Sequence, residues 1–189
     1  VGLGNREITP DALGPRVADN MMITRHVIRE FGKYALGAEH SNLISSIVPG
    51  VMAQTGMESL EIIRGVIRET EPDCIVAVDA LAARSVKRLN RTIQITNTGI
   101  NPGSGVGNHR HGLNRESVGI PVIAIGVPTV VDAATIVNDA ISGYYEEVDC
   151  TLNSFFVTPK DIDESIKRLS FTISEGLNLA FEKTACTNS

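Results

Sequence analysis

Cys74-Ile75-Val76-Ala77-Val78 is an unbroken apolar run, and a single carboxylate, Asp79, closes it. A short run this uniformly apolar suits a strand covered on both faces, because a strand with one wet face alternates. Pro121 to Val127 repeats the pattern. Two such strands need helices on both sides of a sheet, and helical spacing appears before and after them. The expectation is a single three-layer α/β/α domain with a mostly parallel sheet, spanning residues 1–189.

The remaining elements follow from periodicity. Val1-Gly2-Leu3-Gly4 reads as the last residues of a buried strand entering a turn. That points to a processed or truncated form, or to preceding chain absent from this sequence, since a strand needs more residues upstream. Leu13, Val17, Met21, Thr24, Ile28 and Phe31 recur at helical spacing and predict one helix. Leu43 to Val48 predicts a short strand stopped by Pro49-Gly50. Thr55 and Glu58 form a capping box ahead of a helix whose face is Leu60, Ile63, Val66 and Ile67. Thr92 to Thr96 alternates as a strand does, and a Gly-rich loop runs from Asn97 to Gly112. Thr129 and Asp132 are candidate caps for a helix reaching Ile141. Thr158-Pro159 announces a last helix, striped by Ile162, Ile166, Leu169, Ile173, Leu177 and Phe181.

Composition narrows the function classes. A net charge of −5 argues against a binder of duplex DNA that works by neutralising phosphates. Tryptophan is absent and aromatics are 4%, so base-stacking platforms are not expected. The three cysteines, Cys74, Cys150 and Cys186, have no metal spacing and suggest free thiols in a reducing cytoplasm, with Cys74 packed in its strand. No apolar run is long enough to span a membrane.

In open α/β sheets, ligands sit beyond the carboxyl ends of the strands. Asp79 is expected there, and Asp11 in the turn Thr9-Pro10-Asp11-Ala12-Leu13-Gly14-Pro15. Either acid has an alternative role as a helix N-cap, Asp79 because Ala80 to Arg84 is helix-friendly. Two facing carboxylates share a proton and can act together as base and acid on water, which suits amide hydrolysis.

These residues carry a resemblance. Gly2-Leu3-Gly4-Asn5, the Thr9 to Pro15 turn, Ile47-Val48-Pro49-Gly50-Val51-Met52, Val78 to Ser85, Thr98 to Asn108 and Gly119 to Ala133 occur in the order of the spore germination proteases. The likeness runs from residue 1 to about 141 and resumes at Phe156-Val157-Thr158-Pro159-Lys160. The resemblance implies an aspartic-type endopeptidase, made as a zymogen and assembled as a homotetramer. It implies degradation of small acid-soluble spore proteins in the cytoplasm of the germinating spore core, without a cofactor. It implies a fold like that of the hydrogenase maturation proteases, within the phosphorylase/hydrolase-like group, and the family's two essential aspartates fall on Asp11 and Asp79. The family is longer, with a segment ahead of the Val1 strand and another ahead of the last helix, here reduced to Ser142 to Ser154.

Other signals are weaker. The loop Gly103-Ser104-Gly105-Val106-Gly107-Asn108 has neither dinucleotide nor P-loop spacing. Gly103, Ser104, Gly105 and Asn108 are therefore read as substrate-facing, against an ordinary flexible loop. Arg84 is expected one helical turn beyond Asp79, where it would tune that acid or bind an acidic substrate side chain, or make a surface ion pair. Asp11 and Asp79 with His109 or His111 could ligate a metal in the manner of the maturation proteases, while solvated loop histidines are the plain alternative; no metal is expected. Gly2-Leu3-Gly4-Asn5 also resembles the opening of peptidyl-tRNA hydrolase, but Arg6-Glu7 replaces the following Pro-Gly. A catalytically inactive relative serving as a sporulation scaffold is the non-enzyme alternative.

Overall fold

The computed structural model describes residues 1–36, 42–103, 111–141 and 150–182. In chain order the regular elements are α1 (Leu13–Asn20), α2 (Arg25–Phe31), α3 (Met52–Thr55), α4 (Ser59–Thr70), β1 (Ile75–Ala83), β2 (Gln94–Thr96), α5 (Arg115–Val118), β3 (Val122–Asp132), α6 (Ala133–Ile141), β4 (Phe156–Val157) and α7 (Ile162–Glu182). The two apolar runs are neighbours: β1 and β3 pair in parallel along their length, from Ile75 opposite Val122 to Ala83 opposite Val131. Residues 1–3 extend the parallel sheet on the other side of β1, where Leu3 N–H donates to Val78 O at 2.8 Å and Val78 N–H to Val1 O at 2.9 Å. The short strands β2 and β4 both join β3 antiparallel.

Alternation along the central strands sorts their side chains into two cores. Val78, Ile125 and Val127 pack with Leu13 and Val17 of α1 and with Ile162, Ile166 and Ile173 of α7. Ile75, Ala77 and Val122 point the other way, toward Leu60 and Ile63 of α4 together with Leu3 and Leu113. Helices thus cover both faces of an open, mostly parallel sheet, as the buried runs require. Each fully buried Leu or Ile contributes about 1.5–3 kcal/mol, so the sheet is held from both sides.

Several local expectations are corrected. The single helix from Leu13 to Phe31 is two, because Met21 is extended (φ −73°, ψ 138°). Asn178 of α7 holds the break: its side-chain amide donates to Asn20 O at 3.2 Å, and its oxygen accepts from Met22 N–H at 2.9 Å. Leu43 to Val48 forms no strand, although Ile47 O accepts from Gly2 N–H at 3.0 Å and Ile44 O from Thr24 N–H at 3.1 Å. Glu58 rather than Thr55 is the N-cap residue of α4, and its N–H donates to the Glu61 carboxylate at 2.8 Å. Thr158 does not cap α7; its hydroxyl donates to Thr129 O on β3 at 2.9 Å, and the helix starts later, at Ile162. Thr129 lies inside β3, and Asp132 alone caps α6, accepting from Thr135 N–H at 2.7 Å. Cys74 precedes β1 and is exposed rather than packed. None of the helices among the described residues is long and apolar enough to cross a membrane.

Candidate active site

Asp79 is 4% exposed and lies in the middle of β1, not at its end. The helix-friendly stretch Ala80 to Ala83 continues the strand because β3 supplies a partner for each of its residues, with one register shift between Leu81 and Ala82. Pairing and burial outweigh the intrinsic preference of three alanines, which is a weak prior. The N-cap role for Asp79 is therefore excluded by its backbone. Its Oδ1 accepts from Ala80 N–H at 2.9 Å.

The residue beside Asp79 on β3 is Gly126. A Cβ there would come within 2.4 Å of Leu81 Cδ1, so the glycine gives Leu81 its place two residues along from Asp79. This packing has no local sequence signal; only the register discloses it.

Asp11 ends a 3-10 turn, Thr9–Asp11, that Pro10 favours. The N-cap of α1 is Ala12, with no side-chain cap, so Asp11 does not cap that helix. Instead its Oδ2 accepts from Asn5 N–H at 2.7 Å. Gly4, at φ +115°, allows this: a Cβ on it would lie 2.1 Å from Asp11 O. The turn packs against both β1 and β3.

The two acids are joined by a short structural path. Asp79 follows Val78, whose carbonyl holds Leu3 N–H, and Leu3 leads through Gly4 to Asn5, which holds the Asp11 carboxylate. Gly14 locks this path, since its Cβ position is 2.3 Å from Leu3 O and 2.4 Å from Val78 O. Asn5 also gathers the 47–55 segment, its Oδ1 accepting from Gln54 at 3.3 Å. Sequence reasoning missed Gly14, Gly126 and the role of Asn5. The signal available was the density of small residues near both acids, which implies close backbone approach.

The other candidates are dispersed. Arg84 is exposed and follows the end of β1, so the extended backbone carries it about 16 Å along the strand from Asp79 rather than one helical turn. Gly103 is described, with φ +72°. Ser104, Gly105, Asn108 and His109 lie outside the described residues. Among the described residues, Ile100 and Leu113 exchange backbone hydrogen bonds of 2.9 and 2.8 Å, while Leu113 anchors in the α4-side core. His111 pairs with Glu58 at the start of α4, Nδ1 to Oε2, at 2.8 Å. Among the described residues no three His, Cys, Asp or Glu side chains converge as metal ligands.

The family model for germination protease matches residues 1–149. A curated germination protease of Caldanaerobacter subterraneus subsp. tengcongensis is 44% identical over 96% of this chain and 65% of its own length. That of Clostridium tetani has the same identity and coverage. That of Bacillus velezensis is 57% identical over 75% of this chain and 38% of its own length. The chain therefore spans no more than 65% of these relatives' length. Among solved structures, a NiFe hydrogenase maturation protease from Thermococcus kodakarensis aligns over 92% of this chain and 87% of its own, at 20% identity and a TM-score of 0.46.

Proposed function

The chain belongs to the germination protease family, and on that premise we propose that it is an endopeptidase acting in spore germination, with Asp11 and Asp79 as the catalytic pair. The substrates are small acid-soluble spore proteins in the spore core, and the working form is a homotetramer. One observation carries the assignment of the acids. Asp79 is an almost fully buried carboxylate in the middle of an apolar strand, the kind of group found disproportionately at functional sites, and it is linked through Leu3, Gly4 and Asn5 to the turn that carries Asp11.

The chemistry needs one acid ionised and one protonated. The ionised carboxylate takes a proton from water as its oxygen attacks the scissile carbonyl carbon. The protonated partner gives its proton to the carbonyl oxygen, forming a tetrahedral diol. Collapse of the diol breaks the C–N bond, with a proton passing to the leaving amine. Positioned acid–base groups of this kind contribute typically 10²–10⁴-fold.

The test is cleavage of purified spore protein by the wild type and by Asp11→Asn and Asp79→Asn variants, with circular dichroism to confirm folding. Each near-isosteric change removes a proton acceptor, so activity should fall at least about 100-fold while the spectrum is unchanged. A folded variant that cleaves at the wild-type rate would remove that residue from the mechanism. A wild-type chain that binds the substrate without cutting it would support the scaffold reading.

A further inference from the structure

We propose that the cleft between α1 and α7 is an exosite for an acidic peptide segment, separate from the carboxylate pair and independent of whether that pair is catalytic. The cleft measures about 620 Å³. Four cationic side chains line it, Arg6, Arg16, Lys167 and Arg168, against two carboxylates, Asp19 and Glu164. In a chain whose net charge is −5, that concentration of positive charge is local and concave, the arrangement that focuses a field on an incoming anion.

The cleft already holds one carboxylate of the protein itself. Asp19 accepts from both terminal guanidinium nitrogens of Arg6, one of them at 3.0 Å. That hydrogen bonding, together with the nearby charges of Arg6 and Arg16, holds Asp19 below the usual carboxylate range. Arg16, Lys167 and Arg168 make no ion pair among the described residues, Glu164 included, although Glu164 lies one turn before Lys167 and Arg168 on α7. The lining thus keeps an excess of positive charge, four cations against two carboxylates, to meet carboxylates from outside, beside an arginine–aspartate pair that demonstrates the geometry.

The spread of these groups selects the ligand class. The cations come from three places, the 4–8 turn, α1 and α7, and the cavity is within the range of a small-ligand site rather than that of one phosphate ion. Several carboxylates spaced along an extended chain match such a spread. Phe171, 59% exposed on the same wall, supplies an apolar contact that a peptide side chain can use. An exosite of this kind would raise the local concentration of an acidic protein without touching the bond to be cut.

The experiment is fluorescence anisotropy with a short fluorescein-labelled peptide rich in Glu and carrying one Leu, its Gln-for-Glu counterpart, and a single-stranded oligonucleotide of equal charge. The protein is the full wild-type chain, and the peptide is checked by mass spectrometry to be intact after each titration, so that turnover plays no part in the readout. The Glu peptide should bind with an affinity that weakens as salt is raised, and the Gln peptide and the oligonucleotide should bind at least tenfold more weakly. Lys167→Glu with Arg168→Glu, both exposed on α7, should weaken the Glu peptide at least tenfold; Arg16→Gln serves as an independent check should that double variant misfold. Absence of binding, equal binding of the Gln peptide, undiminished affinity in both variants, or tighter binding of the oligonucleotide would each overturn the proposal.

Discussion

Replacing Gly14 with alanine tests the physical link between the two acids. Gly14 lies in α1, where helix propensity alone would favour alanine by about 1 kcal/mol. The surroundings reverse that sign. An added methyl carbon would lie 2.3 Å from Leu3 O and 2.4 Å from Val78 O, against an ordinary contact of at least 3.4 Å. Relief needs a backbone movement of about 1 Å, and both clashing atoms are main chain, so no side chain can swing aside. Overpacking costs about 1–3 kcal/mol, and here the upper end applies. The movement also strains the 2.8 Å hydrogen bond from Leu3 to Val78, which adds about 1 kcal/mol. The net loss is about 3 kcal/mol after the propensity gain, or a Tm lower by about 6–12 °C in a chain of this size. Thermal unfolding by circular dichroism measures this, with Gly65→Ala as the control. Gly65 has nothing within 4 Å of its Cβ position and sits in α4, so alanine there should raise Tm by a few degrees. Cleavage measured well below both transitions should fall for Gly14→Ala and stay at the wild-type rate for Gly65→Ala. A Gly14→Ala protein melting within about 2 °C of the wild type would refute the close-approach argument.

Other perturbations test separate parts of the fold. Asp132→Ala removes the side-chain acceptor of Thr135 N–H at the start of α6 and should cost about 1 kcal/mol, read as a lower urea midpoint with an unchanged slope. Asp19→Asn should destabilise by less than about 1 kcal/mol near neutral pH, because the Arg6–Asp19 pair is half exposed. The folded-state shift of Asp19 is downward, so its contribution is present above the unfolded value and disappears as pH falls through the lower, folded one. Wild type and variant should therefore converge in stability below about pH 4, and a difference that stays constant into strong acid would contradict the pairing.

Local chemistry decided much of this protein. Ile75 to Val78 and Val122 to Val127 could be read as doubly buried strands because uniform apolarity needs no knowledge of neighbours. The stripes of α4 and α7 were legible for the same reason, since spacing along one helix states which face is dry. Asp11 and Asp79 stood out as acids within apolar or small-residue surroundings, and the family motifs around them are contiguous stretches of chain.

What the sequence could not disclose depended on partners far away along the chain. Ala80 to Ala83 reads as helix, and it is strand because Val127 to Val131 pairs with it. The Leu13 to Phe31 pattern reads as one helix, and it breaks at Met21 because Asn178, some 150 residues later, supplies the hydrogen bonds that a continuous helix would have kept internal. Asp11 reads equally well as a cap, and only the approach of Gly4 and Asn5 engages its carboxylate with Asn5 N–H instead. The basic cleft is assembled from Arg6, Arg16, Lys167 and Arg168, whose common position exists only because α1 packs on α7. Periodicity reports burial, which each residue carries in its own side chain; register, helix ends and clustered charge are properties of pairs, and the pairs form only in the folded chain.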